Sequence, residues 1–258
     1  MKTATTTLAI GDVHGCVDEL DMLVSKAIDI NHRINNIVFL GDLIDRGPDS
    51  LGVIQYAMDL KESFSVKLIR GNHDDRFIRF HKHRTEGNEE ALSSMTTRYS
   101  WYDWKPISDE IDSDLYDFMA SGLYYLRDMD RGVIFVHGGI PPRLNILPMD
   151  PTEVFALSNR KRKQYNQMMY LRFVSEDLEF VKCYEEGAND RFWALDYDGR
   201  FGHAYFGHTP HQFIEHNMYP HATCLDHGGV FGGSLAGVII EDGRTDVTVT
   251  QKAMRKYA

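Results

Sequence analysis

Ile37-Val38-Phe39-Leu40-Gly41-Asp42-Leu43-Ile44-Asp45-Arg46-Gly47 is the stretch that decides the fold. Four consecutive apolar residues run into a loop that holds two carboxylates and a guanidinium between two glycines. That is the pattern of a parallel strand, buried on both faces, ending in a functional loop. Such a loop suits a site that holds cations with its acids and an oxyanion with its arginine. The same grammar recurs on both sides. Upstream, a strand predicted at 5–10 leads into Gly11-Asp12-Val13-His14-Gly15; downstream, one at 66–69 leads into Gly71-Asn72-His73-Asp74. Asp12, Asp42 and Asn72 are spaced 30 and 30 residues apart, about one strand–helix–strand unit each. Between them, Leu20, Leu23, Val24 and Ile28, then Ile54, Ala57 and Met58, recur at a helical period. Ligands of open α/β sheets gather beyond the carboxyl ends of the strands, so these three strand ends present their polar residues at one rim.

Farther along, 75–130 reads as a helical excursion that breaks the repeat. Its stretch 85–104 turns from polar to aromatic at Tyr99, Trp101, Tyr102 and Trp104, which reads as a small aromatic core more readily than as a substrate cap. A strand at 132–136 leads to His137-Gly138-Gly139, and one at 204–206 leads to Gly207-His208-Thr209. The basic run Arg160-Lys161-Arg162-Lys163 reads as a solvated helix face. Short strands at 223–225, 238–240 and 247–250, with glycine turns between them, predict a second, partly antiparallel sheet packed on the first. Without a linker, tandem repeat or low-complexity tract, residues 1–258 are expected to form a single domain of α/β class.

Composition narrows the function classes. A net charge of −10 argues against a nonspecific nucleic-acid surface, yet bound divalent cations can reverse the local field and admit an anionic substrate. Three cysteines, Cys16, Cys183 and Cys224, are odd in number and not motif-spaced, which fits a reducing, cytoplasmic setting. Near the start only Leu8-Ala9-Ile10 are strongly apolar, so no leader is expected. Nothing approaches the roughly 18 apolar residues of a membrane span.

Asp12, His14, Asp42, Asn72, His137 and His208 each lie at or just after a strand end, beside a glycine. Oxygen and nitrogen donors without a thiolate point to Mn²⁺, Fe or Zn²⁺. Six donors are too many for one cation and natural for two, with Asp42, on the middle strand, as the bridge. A pair of ions about 3.5–4 Å apart hydrolyses phosphate esters by activating water and clamping phosphoryl oxygens. His73 is placed to reach a leaving group, Asp45 to hydrogen-bond that imidazole and keep it protonated, and Arg46 to hold phosphate with two parallel bonds. Two other chemistries lack support: Asp196-Tyr197-Asp198-Gly199 stands alone as a mimic of an aspartyl-phosphate loop, and no cysteine is followed by an arginine six positions on.

On these motifs, in this order over about residues 5–240, the chain resembles the phosphoprotein phosphatases of the two-metal (calcineurin-like) superfamily, in its small bacterial and bacteriophage branch. The resemblance implies a four-layer α/β/β/α sandwich of two mixed sheets flanked by helices. It implies Asp12, His14 and Asp42 on one metal and Asp42, Asn72, His137 and His208 on the other. His73 would be the general acid paired with Asp45, and Arg46 a phosphate ligand beside Asn72. The expected activity is hydrolysis of serine/threonine, and secondarily tyrosine, phosphate esters on phosphoproteins, with Mn²⁺ as cofactor and a metal-bridging hydroxide as nucleophile. The alternative is a dinucleoside polyphosphate or RNA-cap hydrolase on the same centre. Relatives specialised for symmetrical dinucleoside tetraphosphates typically carry Gln where His14 stands, which ranks that alternative second. A scaffold without turnover ranks third. Two departures touch the substrate side: Trp193-Ala194-Leu195 stands where relatives often read Trp-x-Arg, leaving Arg191 and Arg200 as substitutes, and Asp226-His227-Gly228 adds an extra imidazole.

Overall fold

The structure is a computed structural model that describes residues 5–99, 102–182, 185–210 and 218–258; Trp101, Cys183, His211 and His216 lie outside the described residues. Strands β1 (Thr6–Ile10), β2 (Asn36–Phe39) and β3 (Ser65–Leu68) pair in parallel. Helices α1 (Val17–Ile30) and α2 (Ser50–Asp59) make the two crossovers that the spacing predicts. The Asp49 carboxylate caps α2 by accepting the Gly52 N–H at 2.7 Å. Four helices follow: α3 (Asn72–Thr85), α4 (Glu89–Arg98), α5 (Lys105–Glu110) and α6 (Ser113–Ala120).

The second sheet opens with β4 (Tyr125–Asp128) and β5 (Val133–Val136). Helix α7 (Asn159–Gln167) and a two-stranded ribbon, β6 (Phe173–Val174) with β7 (Arg191–Phe192), come next. β8 (His203–Phe206), β9 (Met218–Tyr219) and β10 (Ala222–Cys224) complete it in the order β4-β5-β8-β10-β9. The last strands, β11 (Ser234–Glu241) and β12 (Val247–Lys252), return to the first sheet, whose order is β12-β11-β1-β2-β3.

Side chains alternate across each strand and so divide into three cores. Leu8, Ile10, Ile37 and Phe39 face the helices, with Leu20, Leu23, Val53 and Ile54. Ala9, Val38 and Leu40 face the other sheet and meet Phe135, Tyr205 and Leu225. Ile134, Val136, Ala204 and Phe206 point the opposite way, against Tyr165, Met168 and Trp193. Three apolar interfaces separate four layers, which is the α/β/β/α sandwich of two mixed sheets.

Two expectations change. The strands at 238–240 and 247–250 belong to the first sheet, because β1 offers an open edge and β11, buried along its middle six residues, fills it antiparallel. The helical excursion ends at Ala120, since 125–128 is an edge strand of the second sheet. The basic run behaves as expected: Arg160, Lys161 and Lys163 are exposed on α7. No helix among the described residues is long and apolar enough to cross a membrane.

Cys16 and Cys224 are free and buried. Burial pushes the Cys16 thiol up to about 12, so it stays protonated and unreactive at neutral pH. In the native protein at pH 8, iodoacetamide should leave Cys16 and Cys224 unmodified, and both should alkylate once urea unfolds the chain; peptide mass mapping checks this.

Candidate metal centre

The centre is built on Asp42, and Asp42 is held by Asp74. One Asp74 oxygen accepts the N–H groups of Asp42 at 2.8 Å and Gly71 at 3.0 Å; the other accepts Leu43 N–H at 3.0 Å. Burial, reinforced by the Asp42 charge, pushes the Asp74 carboxyl up to about 7 despite those bonds. Gly71 is required by the closeness of the two loops: a Cβ there would lie 2.2 Å from Asp42 N and Oδ1. Asp42 Oδ1 accepts the His73 N–H at 2.9 Å and lies 3.4 Å from His137 Nε2. Its Oδ2 lies 3.7 Å from His14 Nε2 and 3.8 Å from His73 Nε2. Two clusters of ligand atoms, each within 4.8 Å, therefore share Asp42: His14, Asp42 and His73, and Asp42, His137 and His208.

The imidazoles are oriented from behind. His14 Nδ1 lies 2.8 Å from the Ile44 carbonyl, and His137 Nδ1 lies 2.7 Å from the Leu40 carbonyl. Each Nδ1–H donates to its carbonyl, which leaves the Nε2 lone pair facing the site. His137 Nε2 then opposes Asn72 Oδ1 at 3.2 Å, acceptor against acceptor, and His208 Nε2 is buried without a hydrogen-bond partner. Acceptors so opposed need positive charge among them, as a proton or a cation. The titration behaviour agrees: burial works against it, yet the neighbouring Asp42 raises the His137 imidazole to about 9. Asp12 closes the other side, accepting His208 N–H at 3.0 and 3.1 Å and lying 3.9 Å from His14 Nε2. Carboxylates, imidazoles and one amide oxygen around a shared aspartate fit two divalent cations.

This arrangement is strained. His14, Asp42, Asp45, Arg46 and His208 all have positive φ, between 48° and 73°, and Leu178 is the one other non-glycine residue of that kind among the described residues. Side chains rarely tolerate this region, and residues held there gather at functional sites. Gly207 shows the same crowding: a Cβ would lie 2.0 Å from Asp12 Oδ1.

Beside the cluster, His73 Nδ1 lies 2.6 Å from Asp45 Oδ2, the expected pairing. Asp45 Oδ1 accepts the Trp104 Nε1–H at 2.9 Å, and Trp104 stacks on Tyr102 with ring centroids 5.2 Å apart. Burial pulls the His73 imidazole down to about 3 and pushes the Asp45 carboxyl up to about 7. The pairing is as expected in geometry, but desolvation opposes a standing charge on His73. Arg46 donates from a terminal guanidinium nitrogen to His14 Nε2 at 2.5 Å and lies over the Phe231 ring.

The substitutes for the missing arginine are engaged elsewhere. Arg191 pairs with Asp196, and Arg200 donates to the carbonyls of Pro141, Pro142 and Leu144. Besides Arg46, a guanidinium that adjoins the centre is that of Arg172, which donates to the His208 carbonyl at 2.8 Å. The buried Asp226 adds its charge to burial in raising the Asp12 carboxyl, and the half-buried His227 next to it lines a surface cleft with His203 and Tyr205. Asp74, Trp104 and Arg172 were not assigned from sequence. Asp74 sits within a quoted motif, but Trp104 and Arg172 carry no spacing signal.

The chain belongs to the calcineurin-like phosphoesterase family, whose profile matches residues 5–213. It is a metallophosphoesterase, and its fold implies a divalent-metal centre with the histidine and aspartate groups described. Over 236 residues it is 29% identical to the asymmetrical bis(5'-nucleosyl)-tetraphosphatase PrpE of Oceanobacillus iheyensis, covering 88% of this chain and 85% of that one. Over 192 residues it is 28% identical to the symmetrical bis(5'-nucleosyl)-tetraphosphatase of Buchnera aphidicola, covering 74% of this chain and 60% of that one. A provisionally assigned diadenosine tetraphosphatase superposes with TM-score 0.69 at 22% identity over 96% of this chain and 95% of its own. A cold-active protein-tyrosine phosphatase from a psychrophilic Shewanella superposes with TM-score 0.59 at 17% identity over 96% of this chain and 83% of its own. At such identities likeness shows the fold alone.

The relatives that span most of both chains overturn the expected protein phosphatase and its phosphoprotein substrate. His14 does not decide between the two substrate classes. A residue that faces a cation serves an ester and an anhydride alike, so it does not report the leaving group.

Replacing Gly71 by Ala should displace Asp42 and cut bound divalent metal at least tenfold by elemental analysis, with far-UV dichroism unchanged. Trp104→Phe should leave Asp45 Oδ1 without its indole donor and lower kcat about tenfold with metal content intact.

Proposed function

We propose that this chain is a dinucleoside polyphosphate hydrolase that cuts the phosphate bridge of a bis(5'-nucleosyl) tetraphosphate. The observation that carries it is the similarity, over nearly the full length of both chains, to an enzyme of that activity. Under this proposal residues 1–258 act as one cytoplasmic domain. Asp12, His14 and Asp42 hold one cation, and Asp42, Asn72, His137 and His208 hold the other. Two divalent ions, here Mn²⁺, supply Lewis acidity and activate water when bound.

The chain's own residues do the rest. The Ile44 and Leu40 carbonyls hold the ring tautomers of His14 and His137, and the Asp74 carboxylate holds the loop of Asp42. Arg46, Asn72 and Arg172 orient the scissile phosphate and offset its charge, as paired guanidinium–phosphate bonds do. Asp45 and Trp104 aim the His73 ring, whose Nε2 delivers a proton to the oxygen that leaves with the departing nucleotide. A departing phosphate is a far weaker base than a departing alkoxide, so proton delivery matters less for the anhydride.

His73→Asn should therefore keep its metals and lose about 10²–10⁴ in kcat on an alkyl phosphate, but fall at the low end of that range on a dinucleoside tetraphosphate. The direct test incubates Mn²⁺-reconstituted protein with diadenosine tetraphosphate and, separately, with a phosphoserine peptide, resolving products by chromatography. Nucleotide products with kcat/KM well above the peptide value are expected. Peptide turnover without nucleotide release would refute the proposal.

A further inference from the structure

His73 and Arg76 leave the same face of α3, three residues apart. The half-buried Arg76 guanidinium sits 4.9 Å from the Tyr99 ring centroid and 5.5 Å from that of Tyr170. A third aromatic residue, Tyr102, stands edge-on to His73 at 5.1 Å, with its hydroxyl 3.4 Å from His73 Nε2. Among the described residues Arg76 makes no ion pair or hydrogen bond, and its Nε is buried without a partner. The contrast on the same helix is Arg79, whose Nε meets Asp75 at 3.0 Å. Aromatic faces fix a guanidinium's plane while leaving its hydrogen-bonding edge open, and that edge matches two phosphate oxygens.

The position matters as much as the charge. His73 is the proton donor under the proposed function, so the space along its helix face lies on the leaving side of the scissile bond. A simple ester would put an alcohol there. A polyphosphate chain would put further phosphates there, each carrying negative charge that neither the cations nor Arg46 has to serve.

We propose that Arg76, braced between Tyr99 and Tyr170, binds the phosphate next to the scissile one on the leaving side and so selects polyphosphate chains over simple monoesters. The substrate class rests on the dinucleoside polyphosphate assignment; the anion site rests on the residues just named.

The test uses metal-loaded full-length protein and the variants Arg76→Ala and Arg76→Gln, the latter retaining most of the stem should the alanine variant fold poorly. Calorimetry of inorganic tripolyphosphate should show at least tenfold weaker binding in the variants, with orthophosphate losing much less. The loss in kcat/KM for diadenosine tetraphosphate should exceed that for p-nitrophenyl phosphate by at least tenfold. Unchanged tripolyphosphate affinity, or equal losses on the two substrates as a purely structural role would give, overturns the proposal while the hydrolase assignment stands. If wild-type protein leaves the tetraphosphate intact yet its tripolyphosphate binding still needs Arg76, the assignment falls and the anion site holds.

Discussion

A buried carboxylate that several histidines must share is the constraint on which the rest of this molecule depends. Asp42 is almost wholly removed from water, as are His14, His73 and His137 around it. Burying a charge is unfavourable unless it is paired and hydrogen-bonded. Here the return comes from the His73 N–H, from three imidazoles within 3.8 Å and from the cations the geometry fits. Burial by itself would raise the Asp42 carboxyl, but the neighbouring His137 and His73 hold it well below the usual carboxylate range.

Holding that charge in place takes two further layers. The first is the Asp74 carboxylate, three backbone donors deep, which joins the loop after β2 to the turn that opens α3. The second is packing between the sheets. The His208 N–H reaches Asp12 across the interface, and His137 reaches back to the Leu40 carbonyl, so each sheet contributes to a bond on the other. Five strained residues persist because these contacts over-determine them. Disturbing the inter-sheet core should therefore be felt at the cations, even from residues that touch neither.

The loss of the phosphoprotein reading follows the same division. Residues that meet the cations serve any phosphoryl transfer, whereas discrimination lies with the groups that meet what leaves. Under the proposed function those groups are Arg76, on α3, with Tyr99 and Tyr102 from the excursion that follows it and Tyr170 from the approach to β6. Read along the chain, the aromatic run looked like a minor core. In space Trp104 is indeed packed inside, but one of its atoms reaches Asp45, and its neighbours wall a guanidinium.

Much of the candidate centre was legible from residue order alone: Asp12, His14, Asp42, Asn72, His137 and His208 each follow a strand and flank a glycine, and His73 stands next to Asn72. Strand ends of a wound sheet converge by topology, so local pattern determines which side chains reach that rim. The parallel crossovers were legible for the same reason, since apolar period and spacing are properties of neighbouring residues. The sheet that β11 and β12 would join, the arginine that would stand beside His208 and the indole that would hold Asp45 were decided only by tertiary structure. Those contacts join residues 36 to 235 positions apart, or bridge a helical excursion with no period of its own, and depend on which open edge or cavity remains once the rest has packed.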